Sequence, residues 1–157
     1  MSDLVRERIK SVLSGRKAAA LVCSAACGAD LLALEAAEEL KIASRIVIPF
    51  TRDIFRETSV ADRPGDWSRP YDRITVDAEQ AGDLILLGYS KGDPAAYAAA
   101  NQAILDEATT VAHSSGLPLA AVIVWDGKSR GQDDLTEQFQ KDALKRQLPV
   151  IEVSTLK

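Results

Sequence analysis

The stretch AALVCSAACGADLLALEAAEELKIASRIVIP, residues 19–49, decides the fold class. It holds two aliphatic runs, Ala19 to Cys23 and Arg45 to Pro49, that lack the apolar/polar alternation of a half-exposed strand. Runs apolar on both sides suit parallel strands covered by helices on each face. Between them Ala29, Ala33, Ala36 and Leu40 recur at helical spacing, and the gap is long enough for a crossover helix.

The same alternation extends outward. Further aliphatic runs occur at Asp83 to Leu87, Leu119 to Trp125 and Pro149 to Val153. Tyr71, Ile74, Ala78 and Ala81 mark a helix beginning near Ser68, and Asp93-Pro94 reads as a cap and first helical position for a helix of about 20 residues ending near Gly116. After Asp133-Asp134, the repeat of Leu135, Phe139 and Ala143 predicts another helix, with Glu137 three residues after Asp134 as in a capping box. Val5, Ile9, Val12 and Leu13 mark an amphipathic helix over residues 3–13 that no strand precedes, and Thr51 to Ser68 reads as irregular. The expectation is one α/β domain over residues 1–157, a three-layer Rossmann-like doubly wound sheet of five mainly parallel strands.

Composition narrows the function without choosing it. The 157 residues are 46% hydrophobic and 27% charged, which argues against disordered, fibrous or disulfide-scaffold classes. With 19 basic against 23 acidic side chains, the charge of -4 offers no pull toward nucleic acid. The longest apolar run, Leu117 to Trp125, is less than half the roughly 20 residues a bilayer span needs, and the charged N-terminus does not read as a signal peptide. The expectation is a cytoplasmic protein bound to neither membrane nor nucleic acid, with self-association left open. Cys23, Cys27 and the single histidine do not make a tetrahedral zinc set, so free buried thiols are expected and no metal or other cofactor is predicted.

In doubly wound sheets ligands gather beyond the carboxyl ends of the strands. Ser24 to Asp30 places small side chains and Gly28 between a strand and a helix, so that main-chain N–H groups can approach an anion. Asp30 can accept hydrogen bonds from ribose hydroxyls or a base amino group, while Lys91, Lys128 and Arg130 can neutralise charge. Asn101, within an apolar helical stripe, either ties down a neighbouring loop or faces a ligand, and Trp67 and Tyr71, four apart, either fill core or line a pocket by stacking on a base, the core reading being the commoner. His113 near a helix end is remote from the strand exits, leaving no Ser/His/Asp relay.

Ala26-Cys27-Gly28-Ala29-Asp30-Leu31-Leu32, Glu35-Ala36-Ala37, Pro49-Phe50, Phe55, Thr58-Ser59-Val60, Trp67, Tyr97, Asn101 and Trp125-Asp126-Gly127 occur in one order. Over residues 4–153 this ensemble resembles the SLOG superfamily of Rossmann-like domains, in the branch found beside bacterial adenylate cyclase and tetratricopeptide modules. The resemblance implies recognition of a nucleotide or nucleotide-derived ligand, in a cleft formed by Ser24, Cys27, Gly28 and Asp30 with Asp126, Gly127, Lys128, Arg130 and Gly131. Members of that branch usually begin with a strand ending in Gly-His, whereas this chain opens on the helix that follows. With that middle strand gone, the remaining strands are expected to close up in the order 2-1-3-4-5.

Relatives also show Gly-Gly-Thr-Ala where this chain has Arg130-Gly131-Gln132-Asp133, and Leu135 stands where the phosphoribohydrolases of the superfamily carry a catalytic-motif glutamate. The leading expectation is therefore a noncatalytic sensor or binding domain for a nucleotide-like small molecule. The alternatives are a nucleotide N-glycosidic-bond hydrolase using Asp30 or Asp126, or a degenerate scaffold that no longer binds.

Overall fold

The structure is a computed structural model that describes residues 2–129, 131 and 134–157. Its elements are α1 (Ser2–Gly15), β1 (Ala20–Cys23), α2 (Ala29–Glu39), β2 (Ala43–Ile48), α3 (Arg52–Ser59), α4 (Ser68–Ala81), β3 (Leu84–Leu86), α5 (Ala96–Ser115), β4 (Ala121–Trp125), α6 (Leu135–Lys145) and β5 (Val150–Ser154). The fold is α/β, each aliphatic run forms a strand, and every strand pairing among the described residues is parallel.

Side chains from successive strand positions go to different layers. In β4, Ala121 belongs to a cluster with Leu105 of α5 and Ala143 of α6, while Val122 and Val124 pack toward Val5, Ile9 and Leu13 of α1 and Leu32 and Ala36 of α2. A third cluster gathers Leu31 and Leu34 of α2, Ile46 and Ile48 of β2, Phe55 of α3 and Tyr71 and Ile74 of α4. Helices thus cover both faces, α1, α2 and α4 on one and α5 and α6 on the other.

The expected single sheet of order 2-1-3-4-5 is not what forms. The strands make a three-stranded sheet of order β1-β2-β3 and a separate pair, β4-β5. β2 rather than β1 takes the middle of its sheet, and Ile46, Val47 and Ile48 are buried there while every residue of β1 is half-buried. Nor do the strands close the gap between β1 and β4. The helices hold the two sheets apart: α1 packs on α2 and reaches β5, and α5 packs on β1, β2 and α6.

Three local features also differ from expectation. The stretch expected to be irregular contains α3, begun by the Thr51 hydroxyl accepting from Ile54 N–H at 3.4 Å and anchored by buried Phe55. Asp93-Pro94 forms a turn ahead of α5 rather than its first residues, with Asp93 Oδ1 accepting from Ala95 N–H at 2.9 Å. The capping box is half made. Asp134 accepts from the Thr136 and Glu137 N–H groups at 3.0 and 3.1 Å, while Glu137 turns to the Ser129 hydroxyl and to Lys141. The long α5 does end at Gly116, whose φ of 66° is the left-handed C-cap that glycine accommodates.

No helix among the described residues is long and apolar enough to cross a membrane.

Candidate functional site

A cavity of about 940 Å³ occupies the gap between β1 and β4. One helix layer, through α1 and α2, closes it on one side and α5 closes it on the other. Its polar end lies where β1 runs out. There Ser24, Cys27 and Asp30 meet Ser59 from the end of α3 and Tyr97 and Asn101 from the start of α5.

The loop between β1 and α2 is shaped by two hydrogen bonds. Cys27 N–H donates to the Ser59 carbonyl at 3.0 Å, and Ala26 N–H donates to the Asp30 carboxylate at 3.1 Å. Gly28 is the N-cap of α2 with φ 94° and ψ -124°, a region that side chains disfavour, so the tight reversal depends on glycine. Reversal here turns Asp30 inward, where removal of water raises its pKa from 3.8 to about 6 against the opposing effect of the Ala26 N–H. Burial likewise pushes the Cys23 thiol well above its usual range, reinforced by the Asp30 charge, and raises Cys27 to a lesser degree. Both cysteines are free thiols.

On the facing wall, the Ser59 and Tyr97 hydroxyls share a hydrogen bond of 2.8 Å, with Thr58 beside them at 3.1 Å from Ser59. The Tyr97 ring stands edge-on to Phe50 at 5.7 Å, which fixes its orientation. Asn101 donates from Nδ2 to the Leu135 carbonyl at 3.3 Å, so this amide ties α5 to the start of α6 while also lining the cavity. Arg63, mostly exposed beside Asp62, lines the same region and is a cation close to Cys27.

The structure divides the residues expected to form one cleft. Ser24, Cys27 and Asp30 line the cavity, with Gly28 as the hinge between them. Asp126, Gly127, Lys128 and Gly131 sit on the loop after β4 and contribute nothing to its lining. That loop is organised internally, with Asp126 Oδ1 accepting from Lys128 N–H at 3.0 Å and Ser129 Oγ accepting from Gly131 N–H at 3.2 Å. Arg130 lies outside the described residues, as do Gln132 and Asp133. Lys91 is paired with Glu57 beside a smaller hollow of about 370 Å³ that shares Thr58 and Tyr97 with the main cavity.

Trp67 and Tyr71 behave as core. Tyr71 is buried against Phe55 and donates to the Arg52 carbonyl at 2.8 Å, and Trp67 donates to the Pro64 carbonyl at 3.0 Å. His113 is exposed in the last turn of α5. Thr58, Ser59 and Tyr97 carried no chemical reading of their own in the sequence, only a place in the family resemblance, and Arg63 gave no signal. Thr58 and Ser59 are placed by α3, in a stretch that the sequence reads as irregular. Among the described residues, no group of three His, Cys, Asp or Glu side chains could hold a metal ion.

The set is suited to hydrogen bonding a polyhydroxy ligand: a half-buried carboxylate, three hydroxyls and an amide around one opening, with apolar walls behind. No protein-family model matches this chain, and no curated protein matches it.

Proposed function

We propose that the protein binds a nucleotide or nucleotide-derived small molecule at the polar end of the cavity, beyond the carboxyl end of β1. The observation that carries this reading is Asp30, held facing the cavity at the first turn of α2 with no ion-pair partner among the described residues. Vicinal ribose hydroxyls would give such a carboxylate two donors, and the gain would offset the loss of its hydration. Ser24, Ser59 and Tyr97 supply further hydroxyls within the same lining, and Arg63 supplies a cation for a phosphate. The resemblance to the SLOG superfamily belongs to this reading and rests on the ordered residues quoted above.

The test is a thermal-shift panel with AMP, ADP, ADP-ribose and NAD. A ligand present at about 100 times its dissociation constant stabilises by about 2.7 kcal/mol, a shift easily read for a domain of this size. The expected result is a shift that Asp30→Ala removes for ribose-bearing ligands. Absence of a shift with all four overturns the reading.

One observation favours a second reading. A carboxyl with a pKa of about 6 is suited to proton donation, as hydrolysis of an N-glycosidic bond requires. Release of free adenine on long incubation with AMP or NAD, abolished in Asp30→Asn, would establish it.

A further inference from the structure

The cavity has a dimension that a ligand at its polar end leaves unused. Ala18 through Ser24 line one wall and Leu117 through Val124 the other. At about 3.3 Å per residue, the strand on the first of these walls, Ala20–Cys23, runs for roughly 13 Å. The far end of α5 leads through Gly116 into β4 while its start holds Tyr97 and Asn101 at the polar end, so β1 and β4 run the same way along the slot.

Main-chain pairing is one-sided on both walls. β1 pairs with β2 from Ala20↔Ala43 to Cys23↔Ile46, and β4 pairs with β5 from Ala121↔Val150 to Trp125↔Ser154. Among the described residues no backbone hydrogen bond joins β1 to β4. The inner edge of each therefore presents N–H and C=O groups to the slot. Natural edges are blunted by charges, prolines or bulges, yet these read ALVC and AVIVW.

The floor and roof are shaped for side chains that the chain itself does not provide. Ala29 and Ala33 of α2 face the slot on one side, and Ala100, Ala108 and Ala112 of α5 on the other. A strand lying between β1 and β4 would send alternate side chains toward these two rows of small residues, with room on both sides for branched aliphatics. The volume of about 940 Å³ leaves room for an added strand between the two walls.

We propose that this slot takes up an extended aliphatic strand of about five residues from a separate partner protein, pairing with β1 and β4 together and joining the two sheets into one. The described residues themselves do not supply it, because each aliphatic run is already paired within β1 to β5. A second copy is disfavoured on the same ground, since it would have to unpair one of its own strands. This is β-augmentation on two edges at once, with main-chain hydrogen bonds giving affinity and the alanine rows selecting apolar side chains.

The test is amide hydrogen exchange on the full chain with and without the capped peptide KTVIVIVTK, and with KTVIPIVTK as a control whose central proline lacks a donor. The expected result is at least tenfold slower exchange in residues 20–23 and 121–124 with the first peptide and no change with the second. Ala108→Trp, which fills the slot from α5, should abolish the effect while keeping the far-ultraviolet spectrum of the parent. Should that variant not fold, the proline control carries the same comparison. Unchanged exchange with KTVIVIVTK, or equal protection by both peptides, overturns the proposal. So does protection of the same amides without peptide, whether concentration-independent, meaning that the sheets close on themselves, or concentration-dependent, meaning that a second copy fills the slot. Because the readout lies along the walls rather than at Asp30, it is independent of any nucleotide result.

Discussion

The Asp30 carboxylate accepts a hydrogen bond from the Ala26 main-chain N–H at 3.1 Å, so the first turn of α2 closes the loop that leaves β1. Desolvation outweighs this single bond, and the carboxyl titrates at about 6 rather than 3.8.

The consequence for stability has a definite sign. Between about pH 4 and pH 6 the folded state holds a proton at Asp30 that the unfolded state has lost, so this group's contribution falls as pH rises through that window and is constant above it. Asp30→Asn keeps an oxygen for the Ala26 N–H and carries no charge. It should be more stable than the parent at pH 7, by on the order of 2 kcal/mol, with the difference vanishing near pH 4. Urea unfolding of both proteins at several pH values checks this, and a difference that grows toward low pH would contradict it.

Gly28→Ala isolates backbone strain. A Cβ at Gly28 meets no atom within 4 Å, so no clash contributes, but the φ of 94° remains disfavoured for alanine. The expected loss is about 1–3 kcal/mol, seen as a lower urea midpoint at unchanged slope. An unaltered midpoint would mean that the loop relaxes to a different conformation.

Tyr71→Phe removes one hydroxyl and keeps the stacked ring against Phe55. The Arg52 carbonyl then loses its donor at 2.8 Å within a site that is 1% exposed. Destabilisation of about 1 kcal/mol is expected by thermal or chemical denaturation.

Cys23 and Cys27 should react slowly with iodoacetamide at pH 7, because the raised thiol pKa values lower the thiolate fraction. Cys23 should be the slower, and both should reach the rate of free cysteine in concentrated urea. Peptide mass mapping after timed quenching measures the order, and rapid labelling of Cys23 in the folded protein would contradict its raised thiol pKa.

The strands were legible because five aliphatic runs admit almost no other reading, and α2, α4 and α6 because their apolar spacing is regular. Sheet order was not legible. It depends on how helices pack across the gap, and nothing local to β1 records that Ala20 to Cys23 lie at an edge rather than between two strands. The same cause divided the expected site. Ser24, Cys27 and Asp30 could be placed from one strand exit, but bringing Asp126 to Lys128 around the same opening rested on the family resemblance and on one continuous sheet. Helix α3 escaped notice because polar residues outnumber its apolar anchors, and with it went the position of Ser59, which meets the Tyr97 hydroxyl on the facing wall.

The Arg8 guanidinium donates to the carbonyls of Ser154, at 2.7 Å, and Leu156. Since β1 and β4 share no main-chain bond, this clasp and the packing of α1 on α2 make the first helix a caliper arm. The spacing of the two halves is therefore set by side-chain volume between helices, a quantity that changes in small steps, rather than by the fixed pitch of a hydrogen-bonded ladder. Substitutions at Val5, Ile9 or Ala36 would retune the internal width of the molecule without changing a residue of any strand.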